Sequence, residues 1–291
     1  MHRLLVETKL LDQESPVLPA DAAKHLKVLR PKDGEEIELF DGKGRCRKFK
    51  VQGSKFQVSG FRFQDGCGLV AASPTCYVKP ETCDLTLFAC VTKGSRWDWT
   101  VEKATELGVT RIIPVISERT IVRIPKAERA AKRERWMRIA EDAARQSDAK
   151  WLPEIVEAVD FKDALPLVRE TTCYIGALTN PPSPPLAEAI MKAVRRRGEQ
   201  SPSEGGACIH AEAPEEELCH RVSYAAFIGP EGDFTPEELA ALMEIATPTS
   251  FGSTILRAET AAIYAVSVLA AELCANKEDT TWQRSQSSVR A

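Results

Sequence analysis

Apolar and polar positions change rhythm once along this chain. Up to about residue 76, short β-prone runs recur at Glu36–Phe40, Arg47–Val51 and Phe56–Phe63. Turn-forming residues separate them at Lys32-Asp33-Gly34, Asp41-Gly42-Lys43-Gly44, Gln52-Gly53-Ser54 and Asp65-Gly66. Short strands punctuated this way predict a barrel or a sandwich. One helix precedes them, at about Pro19–Leu29, with Asp21 as its expected N-cap. From Asp84 the order becomes strand, loop, helix. Leu85–Val91 is a buried-strand run, and Ser95 with Asp98 has the spacing of a capping box. Trp97, Val101, Ala104 and Leu107 share one helical face, which Gly108 ends. Strands are expected at Arg111–Ile116, Thr172–Leu178, Tyr224–Ile228 and about Thr249–Phe251, and helices at Lys126–Ser147, Leu186–Arg197 and about Ala258–Ala275. This alternation predicts a mainly parallel sheet covered on both faces. Within the segment from Asn180 to Val222, Gln200–Glu217 reads as a mobile loop, and the tail from Lys277 as frayed.

Length and composition narrow the class. A chain of 291 residues has room for two domains. No apolar run reaches the roughly 18 residues of a membrane helix, and the N-terminus lacks a signal peptide's apolar core, so the expected compartment is the cytosol. The nine cysteines are scattered, with no CxxC pair, which argues against a disulfide framework. Cys208, His210, Cys219 and His220 lie close in sequence, but their spacing matches no zinc ribbon, and no metal is expected. The net charge of −3 hides an uneven distribution. Lys93–Arg138 carries twelve basic residues against six acidic ones, and Gly198–Ile245 carries one against eleven. A local basic face binds phosphates whatever the total charge, because fields are screened over about 10 Å.

Four loops carry candidate chemistry. Phe227-Ile228-Gly229-Pro230-Glu231-Gly232 takes an apolar strand into a glycine turn, and Thr235, Pro236 and Glu238 then mark a helix start. Ligands in open α/β sheets bind beyond the carboxyl ends of strands, where glycine lets backbone amides approach closely. Phe251-Gly252-Ser253-Thr254-Ile255-Leu256-Arg257 repeats the arrangement and leads into a helix apolar nearly all round, which must be buried in a core or a subunit interface. Lys93-Gly94-Ser95-Arg96 and Ser117-Glu118-Arg119 follow two other strands and are candidates for phosphate and base contacts. No GxGxxG, GxxxxGK[ST], GxSxG or HExxH motif occurs.

Read in order, these motifs resemble a known family. His25-Leu26-Lys27-Val28-Leu29-Arg30, Leu39-Phe40-Asp41-Gly42, Lys93-Gly94, Glu102–Val109, Ser117-Glu118-Arg119, Gln146-Ser147, Pro153-Glu154-Ile155, Ile228–Gly232 and Leu256–Ala261 resemble the RsmE family of bacterial 16S rRNA uridine-N3 methyltransferases, in the SPOUT superfamily. The resemblance implies an α/β fold: a PUA-like RNA-binding β-barrel over 1–76, then a trefoil-knotted methyltransferase domain over 80–276 with an insertion at about 180–222, and a flexible tail over 277–291. It implies a homodimer acting on 16S rRNA of the small ribosomal subunit with S-adenosyl-L-methionine. The donor site would be formed by Gly176, Leu178, Ile228, Gly229, Pro230, Glu231, Gly232, Phe251, Gly252, Ile255, Leu256 and Thr260. Arg257, Glu231 and Glu259 are the candidate catalytic groups, and Lys27, Arg30, Lys93, Arg96, Lys103 and Arg119 the candidate RNA contacts. Asp148-Ala149 stands where the family has Gly-Arg, Asp233 where glycine is common, Thr254 where arginine is common and Ala258 where threonine is usual. Two alternatives stay open: a catalytically weakened RNA-binding protein on the same fold, and a related enzyme acting on a ribose hydroxyl or on tRNA.

Overall fold

The computed structural model describes residues 2–52, 68–78, 83–169, 171–177, 182–200 and 222–275. The expectations placed on Phe56–Phe63, Leu178, residues 201–221 with Cys208, His210, Cys219 and His220, and the tail from Lys277 lie outside them.

The first part of the chain runs β1 (His2–Leu5), α1 (Thr8–Leu11), α2 (Ala20–Leu29), β2 (Glu36–Phe40), β3 (Arg45–Gln52), β4 (Gly68–Ala71) and β5 (Cys76–Tyr77). The strands form one sheet in the order β1-β2-β3-β4, with β5 also on β3. The β1–β2 pair is parallel and the others antiparallel. Leu4, Leu11, Ile37, Leu39, Phe49 and Leu69 fill its core. Helix α2 starts after Pro19, so Asp21 lies inside the first turn and does not cap it. Its carboxylate still faces the positive end of the helix.

The second part runs β6 (Cys83–Cys90), α3 (Ser95–Glu106), β7 (Arg111–Ile116), α4 (Lys126–Ser147), β8 (Glu154–Ile155), β9 (Val159–Asp160), α5 (Phe161–Arg169), β10 (Thr172–Gly176), α6 (Leu186–Gln200), β11 (Val222–Ile228), α7 (Pro236–Met243), β12 (Thr247–Thr249) and α8 (Ala258–Ala275). The strands form a wholly parallel sheet in the order β12-β10-β11-β6-β7-β8, with β9 also on β7. Strand β11 enters late in the chain yet lies between β10 and β6. Side chains alternate across the pleat. Leu85, Leu87 and Ala89 meet α3, α4, α6 and α8 on one face. Phe88 and Cys90 meet α5 and α7 on the other.

Three details of the expected elements change. Gly94, at φ +69, stands at the N-cap of α3, with Ser95 already helical and no side-chain cap. Asp98 pairs with Arg135 of α4, so it is unavailable for a capping box. The last strand ends at Thr249, because Phe251 turns out of the sheet to pack on Tyr264 of α8. The all-round apolar reading of α8 is met on one side: Ala262, Ala265, Val266 and Leu269 are buried, while Tyr264 is exposed.

The two sheets meet at the end of α4. Arg3, buried, donates from Nε to Glu38 Oε1 at 2.8 Å, from Nη1 to the Ala144 carbonyl at 2.6 Å and from Nη2 to the Ala149 carbonyl at 3.0 Å. Lys150 reaches the same Glu38 oxygen at 2.6 Å and Asp148 at 3.0 Å. The guanidinium thus caps α4, which ends in Asp148 at φ +63. Gly42 and Gly44 admit Leu152 and Trp151 at the same junction; a Cβ on Gly44 would come within 2.5 Å of the Trp151 ring.

Candidate active site

The four loops with candidate chemistry leave the carboxyl edge of the parallel sheet, after β6, β7, β11 and β12. The loops after β10, β11 and β12 enclose a cavity of about 370 Å³. Gly176, Ile228, Gly229, Pro230, Glu231, Phe251, Gly252, Ile255 and Leu256 line it, as does Arg257. Gly232 and Thr260 are not in the lining: Gly232 faces Arg119, and Thr260 is exposed on the first turn of α8. Glu259 also lies outside the lining, and its buried Oε2 has no hydrogen-bond partner among the described residues. Arg257 and Glu259 form no ion pair there. Ala177, Phe227, Thr249, Ser250, Ala258 and Ala261, outside the expected donor set, line the cavity too. The first four lie at or beside the ends of β10, β11 and β12, which is the signal that could have found them. Asp233, Thr254 and Ala258, three of the departures from the family pattern, line the cavity as well.

The walls are fixed from below. Phe234 packs against Phe227 and Phe161, with ring centroids 5.6 and 5.8 Å away. A Cβ on Gly229 would come within 2.9 Å of the Phe234 ring, so glycine lets the turn pass directly over it. Asp233 takes φ +60 and accepts a hydrogen bond from its neighbour's amide, Phe234 N, at 2.7 Å. Such a bond offsets part of the left-handed strain where glycine is the ordinary choice. The helix start is as expected: Thr235 Oγ1 accepts from Glu238 N at 3.2 Å and Glu238 Oε2 accepts from Thr235 N at 3.1 Å.

The basic candidates divide. Arg96 pairs with Glu231 at 3.1 Å, at the cavity's edge. Lys103 donates to Glu102 and Glu106, both at 2.8 Å, and these bonds raise its pKa. Arg119 donates to the carbonyls of Gly232 and Phe234. Lys93 is exposed at the mouth of α3, while Lys27 and Arg30 are exposed at the end of α2. No helix among the described residues is long and apolar enough to cross a membrane.

Residues 79–270 match the family described as an RNA methyltransferase domain, and residues 18–58 match an RNA methyltransferase PUA domain. The chain belongs to this RNA methyltransferase family. Among its relatives is the ribosomal RNA small subunit methyltransferase E of Bacillus subtilis (strain 168), 26% identical over 275 residues, spanning 92% of this chain and 96% of that protein. The Neisseria gonorrhoeae enzyme of the same name, solved bound to S-adenosyl methionine, superimposes with a TM-score of 0.68 at 25% identity, covering 93% of this chain and 97% of that one. A methyltransferase from Legionella pneumophila, solved with its cofactor SAM, gives 0.65 at 25% identity, over 92% and 96% of the two chains.

Proposed function

We propose that the protein transfers a methyl group from S-adenosylmethionine to N3 of a uridine in 16S rRNA of the small ribosomal subunit. The observation that carries this is the cavity walled by three glycine-bearing loops at the carboxyl edge of the sheet, inside the segment that matches RNA methyltransferases. The names of the relatives support the rRNA target.

The residues fit the donor. About 370 Å³ lies within the roughly 300–1,000 Å³ usual for small-molecule sites. At Gly176 a Cβ would come within 2.6 Å of the Phe251 ring, so this wall is as close as glycine allows. Ile228, Ile255 and Leu256 offer apolar surface to a purine, and the carboxylates of Glu231 and Asp233 suit a cationic ligand. Bound there, S-adenosylmethionine supplies an electrophilic methyl carbon on a sulfonium.

The chain's own residues do the rest. Uracil N3 carries a proton and is a poor nucleophile until that proton leaves to solvent water. Arg257, in the lining and exposed towards the mouth, stabilises negative charge on the base as the proton departs. Glu231, at the rim, and Glu259, at the start of α8, are the candidate orienting groups. Lys27, Arg30, Lys93 and Arg96 hold phosphates and fix the base in line with the methyl carbon.

The proposal includes a PUA-like barrel over 1–76, a trefoil-knotted domain over 80–276 with an insertion at about 180–222 and a tail over 277–291, a homodimer and a cytosolic location. The exposed Tyr264 and Ile255 beside the cavity support the dimer. A second reading, a weakened RNA-binding protein, draws on Thr254, which lines the cavity where an arginine is expected. Calorimetric titration with S-adenosylmethionine separates the two: no heat of binding sinks the methyltransferase. Mass mapping of ribosomal RNA from a deletion strain then reads the target, and an unchanged uridine N3 pattern sinks the rRNA assignment.

A further inference from the structure

Arg119 lies outside the cavity lining, in the turn after β7, yet it holds the cavity wall. Its Nη1 donates to the carbonyl oxygens of Gly232 and Phe234, both at 3.2 Å. These two carbonyls flank Asp233, the residue in the left-handed conformation that lines the cavity. One residue before Arg119, the amide of Glu118 donates to Glu238 Oε1 at 2.8 Å. The other oxygen of that carboxylate closes the capping box of α7. The segment from Gly232 to Glu238 is therefore tied to the β7 turn at both ends.

The turn that does the holding is itself braced. Ser117 and Thr120 are buried, and Thr120 Oγ1 meets the Ser117 amide at 3.0 Å and its hydroxyl at 2.9 Å. Arg123 Nη1 donates to the Ser117 carbonyl at 3.0 Å, and Nη2 to that of Glu118. Gly232 has no side chain between the two loops; a Cβ there would lie 3.5 Å from Arg119 Cβ.

We infer that Arg119 is a positioning residue: through the backbone of Gly232–Phe234 it sets the wall formed by Pro230, Glu231 and Asp233, and thereby the affinity for the methyl donor. This rests on the reading of the cavity as the donor site. It differs from a phosphate-binding role, which would engage the guanidinium with RNA.

The test uses the full chain and S-adenosylmethionine as the probe, with Arg119→Ala, Arg119→Met and Arg119→Lys. Loss of two bonds to a charged donor predicts an increase in donor Kd and KM of about tenfold or more for Ala and Met. The kcat at saturating donor changes less, amide exchange at 231–235 quickens, and Lys restores part of the affinity. The salt dependence of RNA binding keeps its slope. Unchanged donor affinity in the Met or Ala variant overturns the inference, and a salt slope lower by about one assigns the residue to phosphate instead. If the parent chain binds no S-adenosylmethionine, the donor-site reading falls first, and this inference with it.

Discussion

Arg96 Nη1 lies 3.1 Å from Glu231 Oε1, which joins the first turn of α3 to the rim of the cavity between β10, β11 and β12. A candidate phosphate ligand and a candidate rim carboxylate thus hold one another before RNA arrives. The Arg96 side chain is 42% exposed, and pairs of this kind stabilise proteins by about 0–1 kcal/mol. The Glu231→Gln variant should therefore unfold in urea within about 1 kcal/mol of the parent. Its single-turnover methylation should slow by about tenfold or more, as expected when a group at the reacting centre is lost. A parent-like rate removes Glu231 from the chemistry.

Gly176 offers a sharper test of the cavity. A Cβ there meets the Phe251 ring, which has the cavity on one side and Tyr264 on the other. Gly176→Ala should displace the ring and weaken S-adenosylmethionine binding by about tenfold or more, with an overpacking penalty on stability of about 1–3 kcal/mol. Calorimetry and thermal unfolding measure the two effects. Undiminished donor affinity would show that this wall is not part of the site.

Asp233 explains how the chain lives without a glycine in a left-handed position. Its carboxylate bond to Phe234 N offsets the cost of the conformation. Replacing it by alanine removes the bond and keeps the Cβ, which predicts a loss of about 1–2 kcal/mol. Replacing it by glycine removes both, so stability should stay within about 0.5 kcal/mol of the parent. Equal effects of the two substitutions in urea unfolding would refute this account.

The junction between the sheets rests on Arg3 and Glu38, whose side chains are 5% and 7% exposed. Removing one member of a buried pair costs up to about 3–5 kcal/mol when the other is left uncompensated; Lys150 stays on Glu38, so the loss here should lie at the lower end, about 3 kcal/mol. Arg3→Ala should show this loss. The additional change Glu38→Gln should return part of it, a non-additivity that a double-mutant cycle in chemical denaturation would detect. Additive losses would mean that the pair is not coupled.

The cysteines should differ in reactivity. Burial pushes the Cys90 thiol up to about 11 and Cys173 higher still. Cys46 is buried and raised as well, by desolvation and then by Glu38, whereas Cys76 is exposed. The thiolate is the reactive form, so native-state alkylation near pH 8 should label Cys76 and spare Cys46, Cys90 and Cys173. Peptide mass spectrometry reads this directly, and rapid labelling of Cys90 or Cys173 would contradict the packing.

What the sequence made legible follows from the range of the interactions. The capping residues Thr235, Pro236 and Glu238 act within one turn of helix, and they appear as expected. Helix α4 keeps its expected ends, Lys126 and Ser147, because its apolar side is periodic. The glycines at 176, 229 and 252 sit where strands end, and this brought most of the cavity lining within reach. Long-range partners were not legible. Asp98 has the spacing of a capping box, but Arg135, thirty-seven positions away, holds it. Arg119 reads as a loop cation until Gly232 and Phe234 are seen to accept from it. Helix α5 and the two-residue strands β8 and β9 were not foreseen; strands that short carry too few residues to show a period.

The position of β11 bears on how the chain is made. Cys83 of β6 pairs with Val222 of β11, 139 positions later. Until Val222–Ile228 leaves the ribosome, β6 and β10 each present an unpaired edge, with no neighbour yet synthesised to fill the space between them. The nascent chain therefore carries two apolar strands, each short of a neighbour, from the completion of β10 at Gly176 until β11 is made, the exposed state in which chaperones engage a protein and in which aggregation begins. Whatever speeds or slows synthesis between residues 176 and 222 sets how long that vulnerable interval lasts.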